Sequence, residues 1–217
     1  MKLTIIYDNK ANPGFKSGWG FSCIIETTKK ILFDTGCEGS DLLFNMRKLR
    51  FNPKEIDAVV ISHQHLDHIG GLFSILSINE NIKVFVLSSF SENVKNHIRK
   101  KAEIKEIKQE QRIYKNVFTT GLIKNNPDEQ SLIVKTRKGI VVIVGCSHPG
   151  VDKILEIARK YGKIYAIIGG FHGFSDFDVL KDISIIGACH CTQYMQEIKE
   201  RFPKQFREIR AGDIIEC

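Results

Sequence analysis

The stretch Ser62-His63-Gln64-His65-Leu66-Asp67-His68 puts three imidazoles and a carboxylate within seven residues. In extended backbone, residues i and i+2 face the same way, so His63 and His65 can present their rings to one metal ion. Asp67 and His68 follow as the chain bends toward a helix start, and they face a second position close by. Gly70-Gly71 keeps that turn slim. Three histidines make an open zinc-type environment that leaves a coordination position for water. A second ion nearby would let two metals share a hydroxide and clamp a reacting oxygen.

Three further histidines stand alone after apolar runs. Val141–Val144 leads into Gly145-Cys146-Ser147-His148, Ile164–Ile168 into Gly169-Gly170-Phe171-His172, and Ile183–Ile186 into Gly187-Ala188-Cys189-His190. The His63 cluster itself follows Asp57–Ile61. The carboxyl ends of strands are where sites assemble in α/β sheets. A single histidine there is usually structural, but four strand ends that each lead into histidine point to a shared site.

The elements that must position these residues are short. Strand-like runs fall at Leu3–Tyr7, Phe21–Thr27, Lys30–Phe33, Ala58–Ile61, Lys83–Leu87, Ser131–Lys135, Ile140–Val144, Ile164–Ile168 and Ile183–Ile186. Several are continuously apolar, as strands buried on both faces are. Helical patterns fall at Gly39–Leu49, Gly71–Ile78, Glu92–Lys101, Val151–Tyr161 and Gln193–Phe202, and Lys138-Gly139 reads as a hairpin turn. Helices covering stacked sheets is the natural α/β architecture.

The 217 residues, 42% hydrophobic and 26% charged, suit one soluble domain and exclude collagen, coiled coil and intrinsic disorder. No apolar run approaches the ~18 residues that span a bilayer. The short apolar start Met1–Asp8 reads as a strand, not a signal peptide, so a cytoplasmic protein with no membrane association is expected. A reducing compartment argues against disulfides among the six cysteines, and no pair has the spacing of a zinc knuckle. The net charge of +7 is moderate. Its longest basic stretch, 95–108, is interleaved with Glu103 and Glu106 and reads as a solvated helix face. No nucleic-acid partner is expected. The positive field favours a small anionic substrate.

His63-x-His65-x-Asp67-His68 after an apolar strand, with lone histidines far downstream and Leu32-Phe33-Asp34-Thr35-Gly36 upstream, resembles the metallo-β-lactamase superfamily over essentially the whole chain. Trp19-Gly20-Phe21-Ser22, Glu129-Gln130-Ser131-Leu132, Gly145–Gly150, Gly169–His172 and Cys189-His190-Cys191-Thr192 resemble one branch of it, which contains dihydropterin–ribofuranosylaminobenzene-phosphate synthases and many generic metal-dependent hydrolases. The resemblance implies a single domain over 1–217 with the four-layer αββα sandwich. It also implies a zinc site of one or two ions, with Mn2+ or Fe2+ as alternatives. His63, His65 and His148 would hold the first metal, and Asp67, His68 and His190 the second.

The chain departs from the superfamily where a bridging Asp should follow Ile164–Ile168, since Gly169-Gly170-Phe171-His172 stands there. Asp176 and Asp178 lie a little further on and could reach back. The expectation is a weaker or exchangeable second metal, or His172 as a ligand or a group touching substrate. Asp34 reads as the support that orients a metal-bound imidazole, with a simple turn residue as its alternative. Cys146, Cys189 and Cys191, beside the expected ligands, read first as small buried hydrophobes, with a thiolate ligand as the sharper alternative. His97 reads as solvated. Trp19 either lies over the pocket to stack on a flat substrate or packs on its own sheet.

The implied chemistry is hydrolysis of a small phosphodiester, ester or lactone by a metal-bound hydroxide, with Asp67 orienting the nucleophile and His172 delivering a proton. The competing classes are a pterin-coupling transferase, an iron-loaded redox protein and a non-enzymatic zinc-stabilised module.

Overall fold

The computed structural model describes residues 1–80 and 82–217. The chain divides into two compact units, 1–108 with 210–216, and 109–209 with 217. Each is built on one sheet, and strands are numbered in chain order.

The first unit carries β1 (Lys2–Tyr7), β2 (Ser22–Glu26), β3 (Lys30–Phe33), β4 (Ala58–Val60), β5 (Lys83–Leu87), β6 (Glu103–Ile107) and the late strand β13 (Ile214–Glu216), in the spatial order β13-β1-β2-β3-β4-β5-β6. Pairing is antiparallel from β13 to β3 and parallel from β3 to β6. Parallel neighbours need crossovers, and helices supply them. They are α1 (Gly39–Lys48), the short α2 (Leu66–Ile69) and α3 (Leu72–Leu76), and α4 (Glu92–Arg99). Ile31, Leu32, Phe33, Val59, Val60 and Val84 are all fully buried, which is why these central strands read as unbroken apolar runs. The parallel pairing sets the carboxyl ends of β3 and β4 side by side, so Asp34 and Ser62-His63 leave the sheet together.

The second unit carries β7 (Gln109–Tyr114), β8 (Val117–Gly121), β9 (Leu132–Thr136), β10 (Gly139–Ile143), β11 (Ile164–Gly170) and β12 (Ile185–Cys189), ordered β12-β11-β10-β9-β8-β7. The β9–β10 hairpin turns where Lys138-Gly139 predicts it. Strands β10, β11 and β12 are parallel, so their carboxyl ends, followed by His148, His172 and His190, line one edge. α5 (Val151–Arg159) buries Val151, Ile154, Leu155 and Ala158 in the core of this unit, and α6 (Met195–Arg201) adds Ile198.

One expectation is corrected. The stretch 95–108 is not a solvated helix face. The helix α4 ends at Arg99, and β6 and β7 follow, the edge strands of their respective sheets. Charge on an edge strand discourages pairing with other chains, and it masked the strand pattern here. Lys95 is itself buried, with its ammonium on the Ser88 carbonyl and the Glu92 and Glu106 carboxylates. The strands β8 and β13 are likewise unforeseen, and the last parallel strand lies at Ile185–Cys189 rather than Ile183–Ile186.

Candidate metal centre

In the first unit the donors are gathered by one buried carboxylate. Asp34 follows β3 in a left-handed conformation (φ 53°) and is fully buried. Its Oδ1 accepts the Ser62 N–H at 2.7 Å, and its Oδ2 accepts the Ser62 hydroxyl at 2.7 Å and faces His68 Nδ1 at 2.6 Å. With its proton given to Asp34, the Ser62 oxygen is left to accept from His63 Nδ1, 2.9 Å away. Both Nδ1 atoms therefore act as donors, which leaves Nε2 to carry the lone pair of each ring in its neutral form. A carboxylate behind an imidazole is the usual way a ligating tautomer is fixed.

The far ends of the rings converge. His63 Nε2 is 3.1 Å from His65 Nδ1, and the His63 and His68 ring centroids are 4.2 Å apart. Asp67 Oδ2 is 3.5 Å from His68 Nε2. The four residues 63, 65, 67 and 68 thus come together as their spacing predicts. Burial disfavours a charged His68, but the charge and hydrogen bond of Asp34, with Asp67 adding to both, outweigh it and push the ring up to about 10. A cation is favoured at this position, whether a proton or a metal ion.

The backbone is clamped as tightly. The Thr35 N–H and hydroxyl both donate to the His68 carbonyl, at 2.8 and 2.9 Å. A Cβ on Gly70 would meet the Cys37 carbonyl oxygen at 2.1 Å and one on Gly71 the Thr35 oxygen at 2.4 Å, so these glycines let the ligand segment lie against the strand-end loop. The Phe21 N–H donates to the Asp67 carbonyl. That brings the Trp19-Gly20 loop beside the ligands, with Trp19 60% exposed. His97 is solvent-exposed, as expected.

In the second unit the ligand loop after β10 is held by Glu129, a fully buried acid. Its Oε1 accepts the N–H groups of Cys146 (3.0 Å) and Ser147 (2.9 Å), and its Oε2 that of His148 (2.9 Å). The Ser147 hydroxyl donates to the Gly170 carbonyl, and the Gly170 N–H to the Gly145 carbonyl, both at 2.8 Å. His172 does come beside His148, with ring centroids 4.8 Å apart. His190 is nearly buried after β12. Asp34, Ser147, His172 and His190 all adopt left-handed backbone at strand ends (φ 53°, 58°, 44° and 50°), a cost in strain that such loops bear to aim their side chains. Asp178 does not reach back. Its carboxylate pairs with Arg201, and Asp176 is exposed beside it.

Two supports were not singled out from the sequence. Ser62 relays Asp34 to His63, and its only signal is its place just before the first ligand. Glu129 carried a signal, an acid inside the Glu129–Leu132 motif, but not its role. The donor set of imidazole nitrogens, carboxylate and thiol fits a divalent transition-metal ion.

The family model of the metallo-beta-lactamase superfamily matches residues 21–155. The chain belongs to this superfamily. It is 32% identical, over an alignment of 269 residues covering 94% of this chain and 92% of that protein, to the 7,8-dihydropterin-6-methyl-4-(beta-D-ribofuranosyl)-aminobenzene-5'-phosphate synthase of Methanocaldococcus jannaschii. Among solved structures it resembles Tm1679, a metal-dependent hydrolase of the beta-lactamase superfamily, at 30% identity and a TM-score of 0.82, covering 100% of this chain and 99% of that one. The fold also matches the metallo-beta-lactamase fold protein YhfI of Bacillus subtilis, at 14% identity and a TM-score of 0.72 over 99% of both chains. The fold class expected from the sequence is therefore the one the chain has. Among the described residues no helix is long and apolar enough to cross a membrane.

Proposed function

We propose that the protein is a metal-dependent hydrolase of a small anionic substrate, a phosphodiester, ester or lactone. The observation that carries this is the Asp34 anchor, which engages His68 through Nδ1 and His63 through the Ser62 hydroxyl and Nδ1, leaving the Nε2 side of both rings for an ion. Side chains able to hold a metal ion stand in both units. His63, His65 and His148 would hold one ion, and Asp67, His68 and His190 a second, with zinc, manganese or iron(II) all compatible with these donors. A divalent ion so held would lower the pKa of a water and polarise the attacked oxygen.

Around that chemistry the protein's own groups do the rest. Asp67, a carboxylate beside His68, orients the attacking water. His172, exposed and next to His148, delivers a proton to the leaving group. The excess of Lys and Arg, +7 overall, draws an anionic substrate toward the surface.

The test is metal analysis of untagged protein joined to a turnover panel of phosphodiesters, esters, lactones and thioesters, with and without added zinc, manganese or iron. Metal-dependent hydrolysis of one class is expected. His63→Ala and Asp67→Asn should abolish it while far-UV circular dichroism is unchanged. A His63→Ala variant turning over at near wild-type rate in saturating metal overturns the assignment.

A second reading, a pterin-coupling synthase, is favoured by the 32% identity to the methanogen enzyme. Trp19 supports it, since an exposed indole beside the ligand loop suits a flat ring such as a pterin. Formation of a dihydropterin–aminobenzene riboside phosphate from its two halves, without hydrolysis of the panel, would select it.

A further inference from the structure

The second unit holds a thiol among its histidines. Cys146 is 3% exposed. Its Sγ lies within 4.8 Å of a ring nitrogen of His148 and within 4.8 Å of one of His190. These are the two histidines that the proposed function gives to different ions, so the sulfur sits beside both ion positions.

The chain lacks the carboxylate expected at the end of β11, where Gly169-Gly170-Phe171-His172 stands. The nearby acids of this unit are paired, exposed or committed to backbone groups. Asp178 is paired with Arg201, Asp176 is exposed, and Glu129 has both oxygens on backbone N–H groups. Two divalent cations need negative charge between them, and a thiolate supplies one unit of it. Sulfur has lone pairs for two metals and is a soft donor that suits zinc, iron or cobalt.

The backbone is already arranged for the purpose. Glu129 holds the amides of residues 146, 147 and 148 together, and Ser147, in left-handed backbone, is tied to β11 through the Gly170 carbonyl. Cys146 and His148 thus project from one immobilised turn. Cys191, the other thiol of this neighbourhood, points its Sγ at the Cys146 carbonyl oxygen, 3.9 Å away.

We propose that Cys146 is a metal ligand whose thiolate stands between the two ions, in place of a bridging carboxylate. The proposal rests on the metal centre described under the proposed function. On binding, the thiol proton is released to solvent and the sulfur lone pairs go to the ions.

The experiment is titration of chelator-stripped, reduced protein with cobalt(II) under anaerobic conditions, followed by absorption. The expected result is a strong near-ultraviolet thiolate-to-cobalt charge-transfer band that grows with the first equivalent and shifts with the second. It should persist in the Cys189→Ser/Cys191→Ser double variant. In Cys146→Ser it should vanish while the weaker visible d–d bands of bound cobalt remain. Should Cys146→Ser fail to fold, a variant with Cys37, Cys189, Cys191 and Cys217 all changed to Ser decides instead, since only Cys146 and the core residue Cys23 of β2 then remain, and the band must survive. Visible bands without a charge-transfer band in the wild-type protein leave the metal centre standing and overturn the ligand. So does a band lost in the double variant. A band complete at one equivalent and indifferent to the second makes Cys146 a terminal ligand and overturns the bridge. Failure to bind cobalt at all overturns both the ligand and the centre it rests on.

Discussion

The Oδ2 atom of Asp34 lies 2.6 Å from Nδ1 of His68, and both side chains are fully buried. The same carboxylate takes the Ser62 N–H and hydroxyl, and through Ser62 it reaches His63. One residue at the end of β3 therefore sets the donor atom of two ligands that follow β4.

Asp34→Asn keeps the shape of that residue but removes its charge and one acceptor. Metal affinity should fall about 10–100-fold, as it does when a partner behind a ligating histidine is lost. The metal-free protein should also lose stability, because a partner is taken from a buried pair, a change that costs roughly 3–5 kcal/mol. Competition with a chromogenic chelator and urea unfolding measure the two effects.

The same pair gives the metal-free protein a pH dependence. His68 holds its proton up to about 10 in the folded chain, against 6.5 for an unperturbed ring. A group that binds its proton more tightly when folded stabilises fully below the unfolded value, and that contribution is lost as pH rises through the folded value. The urea midpoint of chelator-treated protein should fall between pH 6.5 and about 10. Asp34→Asn should flatten the fall, and a metal ion in place of the proton should suppress it.

Glu129→Gln leaves one side-chain oxygen for three backbone N–H groups and turns an amide N–H toward at least one of them. A loss of roughly 1.5–3 kcal/mol is expected, the range for hydrogen bonds to a charged acceptor. The loop holding His148 should loosen as well. Hydrogen exchange at residues 146–148 in the metal-free variant, read beside its unfolding curve, separates local release from global destabilisation.

Trp19→Ala removes a ring that is 60% exposed. Stability should change by no more than ~0.5 kcal/mol, as for most exposed positions. Metal content should not change. With a flat aromatic substrate KM should rise while kcat is held, and with a small aliphatic lactone neither should move.

His172→Ala should retain the wild-type metal stoichiometry after dialysis, because the ring is exposed and stands beside His148. Turnover should fall most for substrates with poor leaving groups, the ones that need a proton delivered. Loss of one metal equivalent in this variant would instead make His172 a ligand.

Much of the candidate site was readable in the order of residues. His63 and His65 converge because extended backbone repeats every two residues, and the donor-bearing loops could be found because the central strands are apolar on both faces. The edges were not readable. In β6 and β7 the charged residues that guard a sheet edge look like a helix surface. The Asp34–Ser62–His63 relay was hidden because its members are up to 29 positions apart and meet only through the β3–β4 pairing. Glu129 was noticed as part of a motif, yet its work is done on amides 17 to 19 residues away.

The sequence by itself determined the donor inventory and its placement at strand ends, since both follow from local periodicity and residue type. Only the tertiary structure decided which ring nitrogen faces a protein partner, which acid orients which histidine, and that Asp178 after β11 pairs with Arg201 while the Cys146 thiol stands close to two imidazoles. Those are properties of contacts between distant segments, set by which strands neighbour one another in each sheet, and no local pattern encodes them.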